Sequence, residues 1–590
     1  MSKNLVRQNI PITLLAGLLV LTISHIHAAD VSQTSIGFRS DGWSGVFPSD
    51  CKPPTEFNGV TGKNLRWKAP LPNHSNSSPI VVGKKAFVVC DGGWPEGSDC
   101  PVLVCIDTDT GKQLWQKPID PYDNLPEAEA KEARADRATY WQEYRTINQL
   151  VWDWGHTTDE SKKAALEEEM KLRFHPTGKA RSMSIKELLE LCYRVRAPDR
   201  GGLDTPDTTP MYTGLPKDPV LSARLAKRFF ENPTWGWICM GITMPTPASD
   251  GQRVYVITGQ RTATAFDLDG NKVWHVWHQD VKPIRSHWVE LCGNSPFIVE
   301  GKLLMHLWDR LWCYDPATGK VLWDTPTKLI PAHSMGQPTV LHLPSAKGQT
   351  VTAIFCTSGQ LIRLSDGKLL AEKIAWFGSN ARMSGDGKDL VWSYNGAEAG
   401  GPPADRLHRD IKGVFSLRFK LTTDGERAET EVVWQNEEPA VKNHWGVYPI
   451  YAKGQILSDG GMRLDAATGK MLVPAAGSRI GGHGVILADN RLIGFHYNRN
   501  EDGMAVFSLP TTGTEAEKAK RNLVELSLKQ QDLASITAEQ RKKVIAVSGG
   551  LRWIGHENYG WRTPWNVPFA AGNCLYVRTF DYLYCFSEGK

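Results

Sequence analysis

One corner phrase recurs along this 590-residue chain and constrains its fold more than any other feature. It reads CIDTDTGKQLW at residues 105–115 and CYDPATGKVLW at residues 313–323, and related copies begin at Ala265 and Arg463. The copies that start at 265 and 313 are 48 residues apart, and a third follows 50 residues later at 363. A phrase repeated at this spacing is an architectural unit rather than an active site.

Each copy ends a longer unit, which holds an apolar strand after Pro, a turn at Gly or Asp, and a second apolar strand. Such units begin at Ser77, Pro245, Asn294, Gly336, Val447, Gly482 and Asn566, with a degenerate one at Arg382. Four short strands in about 40–50 residues are typical of a propeller blade. The sequence therefore predicts an all-β, eight-bladed β-propeller. Leu65–Pro70 is expected to be the outer strand of the last blade, whose inner three strands come from residues 564–588.

Three residue types carry the corner phrase. An Asp side chain can accept hydrogen bonds from backbone N–H groups of the turn, and a Gly can take its positive φ. A Trp after the turn is large and flat enough to fill the gap between neighbouring blades. These structural repeat residues are Asp107, Gly111, Trp115, Asp267, Trp274, Asp315, Gly319, Trp323, Asp465 and Gly469.

The order Asp, Thr-Gly-Lys, Trp resembles the repeat of the pyrroloquinoline-quinone-like (PQQ-like) propellers, over about residues 37–117 and 241–587. FRSDGWSGVFP and NLRWKAPLP are similar to the start of secreted members. The family holds quinoprotein dehydrogenases of alcohols or sugars and non-enzymatic relatives such as the bacterial outer-membrane assembly lipoprotein. The resemblance thus allows PQQ with calcium as a cofactor. However, the chain has no adjacent Cys-Cys pair, which is the family's quinone-stacking motif.

The first 29 residues have the pattern of a cleaved secretory signal peptide. Lys3 and Arg7 precede an apolar run too short to span a membrane, and His27-Ala28-Ala29 offers small residues for cleavage. We therefore expect a secreted or periplasmic protein with no membrane span in the mature chain. Removal of residues 1–29 leaves 66 basic and 64 acidic residues, and this scattered charge argues against nucleic acid as a partner.

Two segments interrupt the repeats with helical patterns. The predicted organisation is residues 30–118 (N-terminal segment and first blade), 119–236 (helical insertion), 237–510 (blades two to seven), 511–556 (second helical insertion), and 557–590 closing the ring with 65–70. In the first insertion, Ala128–Trp152 and Ser161–Phe174 have helical apolar spacing, and the second has a helical pattern over Thr514–Val547. The insertions could be packing that protects blade edges, or a lid or docking surface.

Histidines occur near the start of several blades. In a propeller, the innermost strands start beside the central channel, so equivalent positions converge there. Imidazoles at one channel mouth could bind a transition metal or an acidic ligand, or each could bond a neighbouring backbone group. The candidates are His74, His287, His333, His444 and His483, with His74, His333 and His444 as the metal ligands if a metal binds.

Aromatic residues accompany these positions. Trp288 and Trp445 each follow one of the candidate histidines, and Trp561, Arg562 and Trp565 precede the last blade. Aromatic platforms beside polar groups suit a carbohydrate or a flat cofactor, and they equally suit tight packing between blades. A glycan, a small molecule or a protein therefore remains open as the ligand, and a monomer is expected.

The eleven cysteines do not form an obvious disulfide framework. Cys105, Cys313 and Cys585 occupy the same repeat position, where another blade has Ala265, which predicts small buried strand residues. Cys574 and Cys585 flank a hairpin and could face each other, with or without a bridge.

Two classes of function follow. In the first, the propeller is a binding or assembly scaffold that presents its channel mouth and helical insertion to a ligand or protein. In the second, it is a quinoprotein-like oxidoreductase with a prosthetic group over the channel. Because the repeat is intact while the enzymatic motifs are missing, the sequence favours the binding class.

Overall fold

The computed structural model describes the greater part of the propeller repeats. The described residues are 35–72, 75, 77–90, 100–173, 184–187, 245–279, 294–307, 310–327, 337–346, 348–356, 358–374, 382–385, 389–394, 407–408, 411, 413–439, 449–457, 462–474, 485–498, 501–509, 520–526, 566–579 and 582–589.

These residues form eight four-stranded antiparallel sheets. Sheet 1 contains β2 (Ile80–Val82), β3 (Lys85–Cys90), β4 (Val102–Asp107) and β5 (Gln113–Pro118). Sheet 2 contains β6 (Ala248–Ser249), β7 (Arg253–Thr258), β8 (Thr262–Asp267) and β9 (Lys272–Trp277). Sheet 3 contains β10 (Phe297–Val299), β11 (Lys302–Leu307), β12 (Arg310–Tyr314) and β13 (Val321–Pro326). Sheet 4 contains β14 (Thr339–Pro344), β15 (Thr350–Cys356), β16 (Gln360–Arg363) and β17 (Leu369–Ala371).

The second half of the chain repeats the pattern. Sheet 5 contains β18 (Arg382–Gly385), β19 (Asp389–Tyr394), β20 (Gly413–Leu421) and β21 (Ala428–Asn436). Sheet 6 contains β22 (Ile450–Ala452), β23 (Gln455–Leu457), β24 (Arg463–Asp465) and β25 (Met471–Val473). Sheet 7 contains β26 (Val485–Ala488), β27 (Arg491–Asn498), β28 (Glu501–Ser508) and β29 (Lys520–Leu526). Sheet 8 contains β30 (Phe569–Ala571), β31 (Cys574–Arg578), β32 (Tyr582–Ser587) and β1 (Leu65–Pro70).

Within each of sheets 1 to 7 the strands pair in chain order, and the first strands of neighbouring sheets contact one another. Such contacts join β30 with β2, β6 with β10, β14 with β18, β18 with β22, and β22 with β26. Sheet 8 takes its outer strand from the start of the chain, because β1 pairs antiparallel with β32, with Trp67 opposite Cys585. The predicted all-β propeller class and the predicted pairing of Leu65–Pro70 are confirmed.

The corner phrase forms a tight turn between the third and fourth strands. Asp107 Oδ1 accepts hydrogen bonds from the backbone N–H groups of Asp109 (3.1 Å) and Thr110 (2.7 Å). Gly111 takes a φ of 72°, which an L side chain rarely adopts. The same carboxylate-to-backbone bonding occurs at Asp267, Asp315 and Asp465, and the same positive φ at Gly319 and Gly469.

A Trp on the outer strand of one sheet covers the corner glycine of the next sheet. A methyl group on Gly319 would lie 2.6 Å from Trp274, and the Trp274 indole N–H donates to Pro316 O at 2.9 Å. Trp323 covers Gly367 and donates to Leu364 O at 3.0 Å. Two further wedges were not among the predicted residues: Trp67 on Gly111 and Trp434 on Gly469.

Trp115 packs on the shorter corner of sheet 2, at 2.9 Å from a methyl group placed on Gly270. That corner, DLDGNK, has one residue fewer between its first Asp and the Gly than DTDTGK in sheet 1. The carbonyl of Leu268 accepts instead from Lys85 Nζ at 2.8 Å, and the buried Trp115 indole N–H has no acceptor among the described residues.

Two helices follow sheet 1, after a 3-10 turn at Pro121–Asn124: α1 (Glu127–His156) and α2 (Glu160–Arg173). Their bounds agree closely with the predicted helical spans of the first insertion. Among the helices in the described parts of the chain, none has the length and apolar character required to cross a lipid bilayer.

A buried ion pair joins α1 to the turn that contacts sheet 2. Asp120 Oδ1 accepts from Arg137 Nη1 at 2.7 Å, both side chains are under a tenth exposed, and Arg134 bonds the other carboxylate oxygen at 2.8 Å. Burial raises the pKa of Asp120, but the hydrogen bonds and charges of the two arginines outweigh it and lower that pKa to about 2. The ring of Tyr122 packs edge-on against Trp277 of β9. The insertion is therefore anchored on an outer strand.

The second predicted helical insertion, residues 511–556, is wrong in part. Lys520–Leu526 is β29, the outer strand of sheet 7, so the strands of this sheet extend beyond the predicted boundary at 510. The segment is rich in helix-forming residues, but pairing with β28 and burial of Val524 outweigh that local preference. Of the rest of the predicted insertion, residues 511–519 and 527–556 lie outside the described residues.

Candidate functional site

A Pro precedes the innermost strand of several sheets. The backbone N–H of the residue before this Pro donates a hydrogen bond to the side chain of the equivalent residue in the next sheet. The backbone N–H of Val567 donates to Ser78 Oγ (2.9 Å), and the N–H of Ser78 donates to Thr246 Oγ1 (3.1 Å). The N–H of Thr246 then donates to Ser295 Oγ (2.9 Å), and the N–H of Ser295 donates to Gln337 Oε1 (3.0 Å). We call Ser78, Thr246, Ser295 and Gln337 the pre-proline relay. It joins sheets 8, 1, 2, 3 and 4 by buried hydrogen bonds beside the centre of the propeller.

Two of the predicted ligand residues lie shortly before members of this relay in the sequence. His74 lies four residues before Ser78, and His333 lies four residues before Gln337. The predicted ligand residues themselves lie outside the described residues, so their arrangement stays a prediction: His74, His287, Trp288, His333, His444, Trp445, His483, Trp561, Arg562 and Trp565.

The N-terminal segment, residues 36–52, crosses the inner strands of sheets on opposite sides of the propeller. Ile36 pairs with Ser249 of β6 through backbone bonds of 3.0 and 2.7 Å. Trp43 packs edge-on against Phe297 of β10. Further on, the N–H of Phe47 donates to Leu487 O of β26 at 2.8 Å. The segment therefore fills the centre of the propeller at this level.

A single buried cation ties this segment to sheets 6 and 7. Arg39 is 1% exposed, and its Nε donates to Val485 O at 3.1 Å. Its Nη2 donates to Pro449 O at 3.4 Å, and its Nη1 to Trp43 O at 3.4 Å. Gly45 lies against the guanidinium, where an added methyl group would come within 2.5 Å of Nη2. The Arg39 guanidinium therefore occupies a position at the inner strands that a ligand on the propeller axis would otherwise take.

Chain residues 55–59 continue this connection between sheets 7 and 8. The N–H of Phe57 donates to Asn522 Oδ1 at 2.9 Å, and the N–H of Gly59 donates to Leu523 O at 3.0 Å. The ring of Phe57 stacks on Phe586 of β32, with centroids 4.5 Å apart. The segment that precedes β1 is therefore the described link between the last two sheets.

The buried histidines of the described residues have structural partners. His306 bonds Asn294 through Nδ1 (2.8 Å) and Thr327 through Nε2 (2.9 Å), and burial lowers its pKa to about 4. His278 bonds the Tyr314 hydroxyl at 2.5 Å and lies on the ring of Trp312. Neither residue is among the predicted ligands, and both are held inside the packing of sheets 2 and 3.

The predicted metal ligands lie outside the described residues, so the metal and quinone hypotheses stay predictions. Within the described residues, His, Cys, Asp and Glu side chains form no group of three or more able to hold a metal ion. The centre holds Arg39, Trp43 and Phe47, and no adjacent cysteines exist to stack a quinone ring. Cys105, Cys313 and Cys585 are fully buried strand residues, as predicted, and Cys574 and Cys585 are unbridged thiols.

The pre-proline relay and the role of Arg39 were not predicted from the sequence. The relay did leave a signal, since SSP, PTP, NSP and GQP place a polar side chain before Pro at four successive blade starts. Arg39 left none, because the acceptors that tie it to sheets 6 and 7 are backbone carbonyls more than 400 positions away.

Comparisons with known proteins agree with this architecture. Residues 217–338 match the family described as outer membrane protein assembly factor BamB. The structure is similar to that of BamB from Moraxella catarrhalis at 13% identity, covering 72% of this chain and 92% of that chain with a TM-score of 0.35. It is also similar to the computationally designed Ika8 protein at 9% identity, covering 57% and 93% with a TM-score of 0.30. No curated protein matches the chain.

The repeated corners and the four-stranded sheets define a β-propeller. The matched segment, which includes the strands of sheets 2 and 3, shows that the repeat is similar to that of the PQQ-like propeller family. The predicted resemblance is thereby confirmed.

Proposed function

We propose that this chain is a protein-binding assembly scaffold of the cell envelope, built as one closed ring of eight blades. The observation that carries the proposal is the match of residues 217–338 to a family described as an outer membrane protein assembly factor. The predicted signal peptide at residues 1–29 supports a secreted or periplasmic location.

The geometry supports two binding surfaces. The N-terminal segment crosses the centre of the propeller, so we place the first surface at the predicted ligand residues that precede the pre-proline relay in the sequence. The helical insertion supplies the second surface, because the ion pair of Asp120 and Arg137 ties α1 to the turn whose Tyr122 packs on Trp277 of sheet 2. Both surfaces are offered by a monomer, and loops on a rigid scaffold are common binding elements.

A cross-linking experiment in cells tests the proposal. A photoreactive amino acid replaces exposed Glu168 on α2, and a matched one replaces exposed Leu114 on the outer strand β5. We expect a discrete protein adduct from position 168 that is identified by mass spectrometry as an envelope protein, and a clearly weaker one from position 114. No adduct from position 168 and none from a probe at position 74 would contradict the proposal.

A spectroscopic experiment addresses the enzymatic alternative with the same protein. The purified mature chain is mixed with PQQ and calcium, and the absorption spectrum and dye reduction with an alcohol or a sugar are recorded. The scaffold proposal predicts no bound chromophore after gel filtration and no dye reduction. A stoichiometrically bound chromophore together with dye reduction would instead show that the chain is a quinoprotein-like dehydrogenase. Binding of a glycan without dye reduction would make a carbohydrate the ligand.

A further inference from the structure

The last sheet differs from sheets 1 and 2 at one opposing pair of residues. In those two sheets, a basic residue at the start of the second strand lies opposite the corner Asp at the end of the third. In sheet 8 a Cys and a Ser take these two places. The pairs are Lys85 with Asp107, Arg253 with Asp267, and Cys574 with Ser587.

This exchange brings two thiols together. Cys585 lies two positions before Ser587 on β32, so its side chain is on the same face of the sheet as that of Cys574. The two side chains hydrogen-bond with each other. Both are buried, with Cys574 7% and Cys585 0% exposed.

A cation from the opposite end of the chain completes the cluster. Arg66 of β1 places Nη1 3.7 Å from Cys574 Sγ, and its Nη2 donates to Asp109 at 2.9 Å. A guanidinium beside a thiol favours the thiolate, which is the nucleophilic form of cysteine. Cys585 shows the opposite tendency, because its hydrogen bond to Cys574 and its burial raise its pKa.

The same repeat position in other sheets offers a comparison. The hydrogen bond from Cys585, and then Arg66, lower the pKa of Cys574 to about 5 although burial opposes the change. Cys105 and Cys313 occupy the position of Cys585 in sheets 1 and 3, and burial raises the pKa of each to about 12. The cation and the second thiol therefore distinguish sheet 8 from its neighbours.

We propose that Cys574 and Cys585 are a redox-active thiol pair that low-molecular-weight disulfides oxidise to an intramolecular disulfide. The Cys574 thiolate attacks one sulfur of the small disulfide, which forms a mixed disulfide and releases one small thiolate. Cys585 then loses its proton and attacks Cys574 Sγ, which forms the Cys574–Cys585 bond and releases the second small thiolate. Two protein thiols are oxidised and one small disulfide is reduced to two thiols.

The modification site lies where the ring closes, since β1 and β32 come from opposite ends of the chain. The two thiols are diagonal neighbours on one face of adjacent strands, and closing the bridge brings them to an S–S bond length of about 2.05 Å. This inference rests on the cluster itself and does not depend on the proposed binding function.

Peptide mapping of the intact mature chain tests the proposal. The folded, reduced protein is incubated with oxidised glutathione, alkylated, and digested with trypsin without reduction. Trypsin separates residues 563–578, which contain Cys574, from residues 579–590, which contain Cys585. We expect these two peptides to be linked in most of the oxidised sample. A folded protein, by circular dichroism, in which the two peptides remain separate would overturn the proposal.

Variants assign the roles of the two thiols and the cation. Cys585→Ser should stop at a mixed disulfide on Cys574, Cys574→Ser should give neither product, and Cys313→Ser should behave as the parent. Arg66→Gln should move the midpoint of the pH profile for Cys574 alkylation upward by about one pH unit, which is tenfold in thiolate stability. A midpoint above 8 in the parent protein, or one that Arg66→Gln does not move, would contradict the assigned thiolate.

Discussion

Two halves of the propeller use the same sheets but join them differently. From sheet 8 through sheets 1, 2, 3 and 4, each join has a Trp on a corner glycine, and each has a bond of the pre-proline relay. From sheet 4 to sheet 5 the described corner contacts are polar, with Arg363 and Lys368 paired to Glu426. Between sheets 7 and 8 the N-terminal segment makes the described link. The gap between neighbouring sheets of a propeller must therefore be filled, and this chain fills it with different side chains at different places.

The largest expected effect comes from the half that depends on the N-terminal segment. Arg39→Met removes three hydrogen bonds and leaves buried carbonyls on sheets 6 and 7 without a donor. We expect the free energy of unfolding in urea to fall by about 3–5 kcal/mol. Lys52→Met, at an exposed position of the same segment, is the control and should change it by less than about 0.5 kcal/mol. Equal effects would show that Arg39 does not join the sheets.

A matched pair of glycines tests the Trp joins. Gly319 has a φ of 71° under Trp274, while Gly425 has a φ of 72° with nothing within 4 Å of an added methyl group. Gly425→Ala should cost about 1 kcal/mol of stability through backbone strain alone. Gly319→Ala should cost about 3 kcal/mol, because the methyl group also displaces the indole. Denaturation of both variants measures the difference, and equal costs would refute the wedge.

The stability of the helical insertion, which packs on the half of the propeller with Trp contacts between sheets, should fall in acid. The pKa of Asp120 is lowered on folding, so its contribution to stability is complete above its unfolded pKa of about 3.8. That contribution, about 2 kcal/mol, is lost as the pH falls from about 4 to about 2. We expect Asp120→Asn to speed hydrogen exchange in α1 at pH 7, because the mutant lacks the buried carboxylate that binds both arginines. The control Glu129→Gln, at an exposed site, should leave exchange unchanged, and a similar speeding there would contradict the anchor.

Substitution of two tryptophans distinguishes the contribution of ring packing to stability from that of the indole hydrogen bond. Trp274→Phe removes a donor to Pro316 O, whereas the Trp115 indole N–H has no acceptor among the described residues. We expect Trp274→Phe to destabilise the protein by about 1 kcal/mol more than Trp115→Phe in chemical denaturation. A larger effect at Trp115 would mean that the short corner of sheet 2 is satisfied in another way.

The polar corner contact between sheets 4 and 5 should contribute the least. Its ion pairs are partly exposed, and such pairs contribute little because water and salt screen them. Glu426→Gln should therefore lower stability by about 0.5 kcal/mol at low salt, and the effect should vanish in 1 M NaCl. A salt-independent loss would place this join alongside those that use Trp.

The sequence predicts the parts of this fold that depend on local geometry. An Asp that bonds its own turn, a Gly with positive φ and a Trp after the corner all act within a few residues, so they recur visibly. Lys520–Leu526 was predicted wrongly because its strand exists through pairing with β28, which its own composition opposes. Arg39 could not be predicted, since its carbonyl acceptors carry no side-chain signature. The predicted ligand histidines and tryptophans remain a prediction, because they lie outside the described residues.

The path of the N-terminal segment has a consequence for synthesis on the ribosome. Phe47 packs on Phe569 and Phe57 on Phe586, which emerge more than 500 positions later. These two aromatic side chains of the N-terminal segment therefore lack their final partners until nearly the whole polypeptide has been made. Contacts between residues so far apart in the chain form slowly and leave apolar surface exposed in the meantime. We therefore expect maturation of this protein to depend on chaperones that bind the nascent N-terminal segment.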